Sequence, residues 1–128
     1  MSKRIQEGKQ LLEKGLFEKA IDTLTIQITS TPRDVQALYL RAIASRKLNK
    51  FDDSLKDFNK AIELNPLQAE FFSDRGILFY MMQDEIASLQ DMDKSVERII
   101  QAIEKNQKIG IIADYDVDGS TSATLLFR

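Results

Sequence analysis

Three aspartates alternate along one short stretch of the chain and end in a glycine. Asp114, Asp116 and Asp118 precede Gly119 within IIADYDVDGSTSATLL. Carboxylate oxygens are the hard ligands that divalent ions such as Mg²⁺, Mn²⁺ and Ca²⁺ prefer in proteins. The spacing therefore predicts a weak divalent-metal site, a calcium loop, or part of a larger metal-dependent enzyme.

A calcium loop of the EF-hand type is the first of these alternatives. Asp114, Asp116, Asp118 and Gly119 match the first, third, fifth and sixth places of such a loop. The twelfth place requires a bidentate Glu, and Leu125 occupies it. A β-branched run precedes the aspartates, whereas an EF-hand loop follows a helix. We therefore expect no tight calcium site.

The composition excludes several classes of site and partner. The 128 residues include no Cys and no His, which excludes disulfides, thiolate metal sites and Ser-His or Cys-His catalytic pairs. The formal net charge of -2 gives no basic surplus, so a nucleic-acid partner is not expected. No apolar run is long enough to span a membrane, and MSKRIQEGKQ has no apolar signal core. We expect a cytoplasmic protein with no membrane partner.

The elements that lead to the aspartates repeat every 34 residues. Pro32 and Pro66, the two prolines of the chain, lie 34 residues apart, and each follows an amphipathic helical segment. The same shift aligns two sets of small residues and one set of large apolar residues. The small sets are Ala20, Ser54 and Ser88, and Gly8, Ala42 and Gly76; the large set is Leu24, Phe58 and Met92. Each copy predicts two paired helices, about 2–14 and 18–30 in the first copy, that stack on the next pair to share a core.

The ends of the helices are also marked in the repeat. Gly15 and Asn49 coincide, and both tolerate the left-handed conformation that ends a helix, while Gln83 holds this place in the third copy. Ile100 stands where a third Pro would stop the last helix. The pattern therefore predicts one long helix from about 85 to 106 that caps the last repeat.

This pattern resembles the tetratricopeptide repeat (TPR) over about residues 1–98. The matching residues are Leu38, Ala42, Phe51, Ser54, Phe58, Ala61 and Pro66 in the second copy, and Phe72, Gly76, Phe79, Ser88, Met92 and Ser95 in the third. The first copy departs from the family pattern at Gln27, and the third lacks its Pro. The resemblance implies an all-α fold, with three helix-turn-helix repeats in a right-handed solenoid and a C-terminal extension.

TPR arrays bind peptides or proteins in a concave groove lined by the first helix of each repeat, so the resemblance implies an unidentified protein or peptide partner here. The inner positions carried over from the family are Lys9, Leu12, Tyr39, Ile43, Arg46, Lys47, Ser73, Ile77, Tyr80 and Met81. Tyr and Arg are common interface anchors. The alternative for Tyr39, Ile43 and Ile77 is packing between neighbouring repeats.

One TPR subclass clamps the carboxylate end of chaperone tails with Lys, Asn and Arg. In this sequence, Leu40 stands where that clamp has Asn, and Glu70 and Asp74 stand where it has Lys and Arg. Two acidic side chains would repel a ligand carboxylate. We therefore expect no binding of an acidic chaperone tail.

The aspartate stretch resembles the first motif of the DHH phosphoesterases, in particular RecJ-type single-strand exonucleases, over about residues 91–128. The resemblance implies that Asp116 and Asp118 bind manganese or magnesium and that Asp114 supports them. That family completes its site with further motifs that contain His, and this chain has none. We expect neither catalysis nor a cofactor in this chain alone; the alternative is one piece of a metal-dependent phosphoesterase.

The residues after the long helix predict a change of structure. Ile109, Ile111 and Ile112 favour a short strand over about 109–113, and STSATLLFR favours the start of a helix. The predicted division is a TPR solenoid over 1–106 and a RecJ-like fragment over 107–128. This change of family suggests the hypothesis of a chimera. A second hypothesis is self-association through 109–113, because a strand edge pairs readily with its copy.

Overall fold

Six α-helices follow one another in the part of the chain that the computed structural model describes, residues 2–107. They are α1 (Lys3–Glu13), α2 (Phe17–Ser30), α3 (Val35–Lys47), α4 (Phe51–Leu64), α5 (Ala69–Met81) and α6 (Glu85–Gln107). The pairs α1–α2, α3–α4 and α5–α6 are the three predicted repeats, so the all-α prediction is confirmed. The predicted strand 109–113, the helix after it and the aspartates Asp114, Asp116 and Asp118 lie outside the described residues.

α1 and α3 begin at side chains that satisfy free backbone N–H groups. The Ser2 hydroxyl accepts a hydrogen bond from the Arg4 N–H at 3.2 Å, and the Asp34 carboxylate accepts one from Ala37 at 3.1 Å. Caps of this kind stabilise a helix by about 1 kcal/mol each. The first turns of α1 and α3 are therefore fixed by local sequence.

Two residues after the end of the first helix of each repeat, one residue has a left-handed conformation. Gly15, Asn49 and Gln83 have φ angles of 75°, 59° and 64°. In each case the next residue donates its N–H back to a carbonyl five residues earlier, as Lys50 does to Ser45 at 2.9 Å. This is the hydrogen bond that closes a helix with a left-handed residue. Asn49 and Gln83 adopt the conformation despite having side chains.

The last helix extends further than its counterparts. α2 and α4 have 14 residues each and end at Ser30 and Leu64, whereas α6 has 23 residues. The predicted long helix from about 85 to 106 is confirmed. Its extra length follows from Ile100, because a Pro at that place would remove a backbone donor and clash with the preceding turn.

The paired helices cross where the sequence has its small residues. A Cβ placed on Gly8 would lie 2.7 Å from Leu24 Cδ2, and one placed on Gly76 would lie 3.0 Å from Met92 Cε. In the second repeat, the fully buried Phe58 fills the same space. The alignment of small and large residues therefore marks the tightest contacts within the repeats.

Gln27 departs from the TPR pattern because it has a specific structural role. Its side chain is 8% exposed. The amide nitrogen donates to Asp34 Oδ2 at 2.9 Å, and the amide oxygen accepts from the Ser2 hydroxyl at 3.2 Å. Ser2 and Asp34 are the residues that begin α1 and α3. Gln27 thus connects the starts of the first two inner helices through a buried amide that is hydrogen-bonded at both its nitrogen and its oxygen.

The order of helix contacts defines an inner and an outer layer. α1 contacts α3, and α3 contacts α5, whereas within residues 2–107 α2 does not contact α4, and α4 does not contact α6. Helices that touch on one side of an array and separate on the other produce a curved stack. The concave side is therefore formed by α1, α3 and α5. No helix within this part of the chain has the length and apolar character needed to cross a membrane.

Candidate partner-binding groove

The ten predicted partner-binding residues all lie on the inner helices, but their exposure differs greatly. Lys47, Ile77, Tyr80 and Met81 are exposed. Arg46 is buried. The other five are partly buried: Lys9, Leu12, Tyr39, Ile43 and Ser73. The structure therefore separates positions that contact neighbouring helices from positions that face the groove.

Tyr39 packs between repeats. Its ring lies 4.7 Å from the Phe71 ring and 6.1 Å from the Phe58 ring, measured between centroids. Its hydroxyl donates a hydrogen bond to the Asp74 carboxylate on α5. Burial, together with this bond, raises the pKa of Tyr39 well above its usual value. Tyr39 therefore packs between neighbouring repeats, which is the alternative that the sequence left open for it.

Arg46 also connects α3 to α5. Its side chain donates to the Asp74 carbonyl at 3.1 Å and lies 3.4 Å from Asp74 Oδ1. The guanidinium lies 6.0 Å from the centre of the Phe58 ring, within cation–π distance. With 8% of its surface exposed, Arg46 contributes little area to a partner.

The contacts of Asp74 reduce the repulsion expected toward the carboxylate of a chaperone tail. Asp74 accepts hydrogen bonds from Tyr39 and Arg46, so its charge is compensated within the fold. Glu70 is exposed and supplies the remaining repulsion toward a ligand carboxylate. Leu40 is 6% exposed and packs in the first core cluster, where it offers no hydrogen bond. The acidic repulsion is weaker than the sequence implied.

The N-terminal part of the groove is lined mainly by polar residues. Lys9 and Gln36 line an open depression over Ile5, with Ser2 and Asp34 at its side. Leu12 lies deeper and packs against the core cluster that contains Leu24. At this end, Lys9 and Gln36 are the side chains available for polar contacts.

The C-terminal part of the groove exposes large apolar side chains. Ile77, Tyr80 and Met81 are 40%, 68% and 41% exposed, and they occupy one face of α5 at helical spacing. Tyr80 and Met81 line an open depression with Gln83 and Glu85. Ile43 on α3 is partly buried against the cluster around Phe58. An exposed group of large apolar side chains is characteristic of a contact surface.

A second set of polar residues recurs in the structure, and the sequence interpretation did not identify it. Arg41 makes a two-pronged ion pair with the buried Asp57, at 2.7 and 2.9 Å, and donates to the Thr25 hydroxyl at 3.2 Å. The bond to Asp57 raises the pKa of Arg41. The signal was present in the sequence, because a shift of 34 residues reproduces the whole set.

In the next repeat, the same contacts join Arg75, Asp91 and Asn59. Arg75 pairs with Asp91 through two bonds of 2.7 Å and donates to Asn59 at 2.9 Å. Each Arg therefore connects the two helices of its own repeat and the outer helix of the preceding repeat. Two-pronged Arg–carboxylate pairs add geometric specificity as well as energy. Their role is to fix how the repeats stack.

Metal binding concerns the part of the chain that follows α6. Among residues 2–107, no group of three or more acidic side chains is arranged to hold an ion. The three aspartates with metal-ligand chemistry lie beyond Gln107.

Each of the three helix pairs has one inner and one outer helix, and the inner helices form the concave face. This architecture is a helical-repeat solenoid. Residues 35–66, which include α3 and α4, match the family model of the tetratricopeptide repeat. The fold of residues 2–107 is therefore the predicted TPR-type solenoid.

Two curated proteins illustrate what this chain is similar to. Hsp70-Hsp90 organizing protein 2 of Arabidopsis thaliana is 26% identical over 92 residues, which cover 72% of this chain and 16% of that protein. The single-stranded-DNA-specific exonuclease RecJ of Bacillus subtilis is 31% identical over 87 residues, which cover 59% of this chain and 11% of RecJ. The chain thus spans only a small part of each relative. The match to RecJ is longer than 91–128 alone, so the likeness extends to residues before 91.

Solved structures share the fold. The first TPR of Spaghetti (RPAP3), bound to the HSP90 peptide SRMEEVD, superposes with a TM-score of 0.71 at 25% identity. The superposition covers 74% of this chain and 75% of that one.

Proposed function

We propose that this chain is a protein-interaction module that binds a peptide or protein segment on its concave face and catalyses no reaction by itself. The observation that carries the proposal is the exposed apolar group on α5, Ile77, Tyr80 and Met81. Tyrosine gives a large contact area at small cost in conformational entropy, which suits an interface anchor. These three of the ten predicted residues are the strongest candidates for contact.

The charges of the groove indicate the kind of segment that would fit. Lys47 is exposed at the place that Met81 occupies one repeat later, and Lys9 lies further along the same face. Glu70 is an exposed acid near Ser73. A segment with an apolar side chain on α5 and an acidic residue toward α3 would therefore be complementary. The peptide complex of RPAP3 supports a peptide as the kind of partner.

Selection from a random peptide library, with binding measured by fluorescence anisotropy, tests this proposal. Tyr80→Ala should weaken binding of the selected peptides by at least about tenfold, the loss typical of an interface anchor. Ile26→Ala is the matched control, because Ile26 is 54% exposed but lies on the outer helix α2. Peptides that bind equally well to wild type and to Tyr80→Ala would contradict the proposed site.

The peptide SRMEEVD provides a more specific test. Glu70 is exposed, Arg46 is paired with Asp74, and Leu40 offers no polar group. We expect no measurable binding of this peptide in the same assay. Saturable binding that Glu70→Lys strengthens would support the groove but disprove the predicted discrimination against acidic tails.

A second candidate function comes from the likeness to RecJ: one piece of a metal-dependent phosphoesterase or single-strand exonuclease. Asp116 and Asp118 would hold manganese or magnesium, with support from Asp114, since carboxylates are suitable ligands for these ions. We expect the purified chain not to hydrolyse single-stranded DNA with Mn²⁺ present. Hydrolysis that Asp116→Asn abolishes would favour this alternative.

A further inference from the structure

α6 carries an apolar stripe, which we call the α6 seam: Leu89, Met92, Val96, Ile99 and Ile103. Met92 is partly buried near Gly76. The other four side chains are strongly exposed, at 66% for Leu89, 50% for Val96, 48% for Ile99 and 50% for Ile103. Contiguous exposed apolar residues of this size mark an interaction surface.

Among the helices of residues 2–107, α6 has one neighbour fewer than its counterparts α2 and α4, which leaves the seam exposed. Ile28 and Ile62 occupy the place of Val96 in the first two repeats, and both pack against the core cluster of Leu38 and Phe71. α2 is contacted by α1 and α3, and α4 by α3 and α5. Among the helices of residues 2–107, α6 is contacted by α5 alone. Within residues 2–107, no inner helix of a following repeat lies against the far side of α6.

The spacing of the seam is that of a helix that pairs with another helix. Its members follow each other at intervals of 3, 4, 3 and 4 residues. This is the heptad spacing of a coiled coil, in which side chains of one helix fit between those of its partner. From Leu89 to Ile103 the seam extends for about 21 Å at the α-helical rise. It also includes the part of α6 beyond the place where α2 and α4 end.

The margins of the seam carry little charge. The residues at the flanking heptad places are Ile86, Ser88, Asp93, Ser95, Ile100 and Ala102. Of these, Asp93 is the single charged residue. The charges toward the end of α6 lie at other heptad places: Lys94, Glu97, Arg98, Glu104 and Lys105. Two copies of this surface can therefore approach without the repulsion between like charges that flanking residues cause in other helix pairs.

Head-to-tail stacking of copies is disfavoured by the opposite end of the array. In the second and third repeats, the inner helix meets the preceding repeat with apolar residues such as Leu38 and Phe71. The aligned region of α1 has Lys3 and Arg4, which are exposed. A second copy placed there would bring these charges against Val96. The seam is suited to its own copy and not to α1.

We propose that the α6 seam pairs with the α6 seam of a second copy and forms a two-fold symmetric dimer. Both copies use the same surface, so the contact closes and does not propagate into a filament. The seam lies on α6, outside the concave face of α1, α3 and α5. This inference therefore does not depend on the proposed peptide-binding function.

Sedimentation velocity of the full chain over a concentration series tests the dimer. Wild type should associate reversibly, and Val96→Glu should raise the dissociation constant at least about tenfold, because a charge would be buried in the contact. Gln101→Glu is the control, since Gln101 is exposed on the opposite side of α6. Circular dichroism shows whether each variant keeps the helical fold. A wild type that stays monomeric up to millimolar concentration would overturn the proposal.

The absence of Cys from the sequence permits a direct test of the contact. Ile99→Cys should form a covalent dimer under mild oxidation, while Gln101→Cys should form much less. Dimers that persist in Val96→Glu, with no cross-link at Ile99→Cys, would place the contact elsewhere, for example at 109–113, and would also overturn the proposal.

Discussion

α4 and α6 occupy the same place in consecutive repeats, yet one is covered on both sides and the other on one. Inside the repeat they are alike: Ser54 donates to the Ala42 carbonyl at 2.7 Å, and Ser88 donates to the Gly76 carbonyl at 2.8 Å. Outside the repeat they differ, because α5 follows α4, and within the described chain no inner helix follows α6. The repeat pattern therefore encodes the helix pair, while the neighbour decides which residues become core.

The largest difference between α4 and α6 is expected when the large residue at the helix crossing is removed. Phe58→Ala should lower the free energy of unfolding by about 3–5 kcal/mol, because Phe58 is fully buried between α3, α4 and α5. Met92→Ala should cost only about 1–2 kcal/mol, because Met92 keeps contact with α5 but is partly exposed. Urea denaturation monitored by circular dichroism measures both. An equal loss for the two variants would show that the missing neighbour has no energetic effect.

A smaller effect is expected at Ile62 and Val96, which hold the same repeat place. They differ in that α5 covers Ile62. Ile62→Ala should cost about 1–2 kcal/mol, because Ile62 packs against Phe71 of the next repeat. Val96→Ala, at the same repeat place, should change the free energy of unfolding by less than about 0.5 kcal/mol in the monomer. Dilute samples are required for Val96, since association through the α6 seam would add to the loss. A large effect for Val96 in dilute solution would mean that this residue is covered.

A further, modest effect is expected at the hydrogen bond between Tyr39 on α3 and Asp74 on α5. Tyr39 donates to Asp74, and its pKa is raised in the folded state, chiefly by burial. The unfolded chain therefore loses the Tyr39 proton first as the pH rises, so the free energy of unfolding should fall with pH above about 10. Tyr39→Phe should cost about 1 kcal/mol at neutral pH and reduce this fall. Stability curves of the two proteins that stay parallel above that pH would contradict the assignment.

Much of the fold could be predicted from the sequence because repetition makes weak signals add up. One Gly or Ser is uninformative, but Gly8, Ala42 and Gly76 at one place, each at a helix crossing, define the geometry. The absence of Pro near Ile100 correctly predicted the long α6. These features depend on residues close in sequence, where helical spacing fixes which side chains meet.

The candidate site could be predicted less completely, because it depends on contacts between repeats. Arg46 has the chemistry of an interface anchor, and only its contact with Asp74 shows that it is already engaged. Ile43 and Ile77 hold the same place in their repeats, yet one packs against the core and the other is exposed. A family pattern aligns both as groove residues and cannot separate them. That distinction requires knowledge of which helix lies beside each residue.

The buried amide of Gln27 has a consequence for the way in which the array comes apart. Through Ser2 and Asp34 it joins the beginnings of α1 and α3, so the N-terminal end cannot open without breaking a buried hydrogen-bond network. At the opposite end of the described chain, α6 contacts no helix but α5, and Arg98 adds one exposed hydrogen bond to the Pro66 carbonyl. In a linear array, where each unit is stabilised by its neighbours, unequal ends give unfolding a direction. We expect unfolding to begin at α6 and to reach the first repeat last.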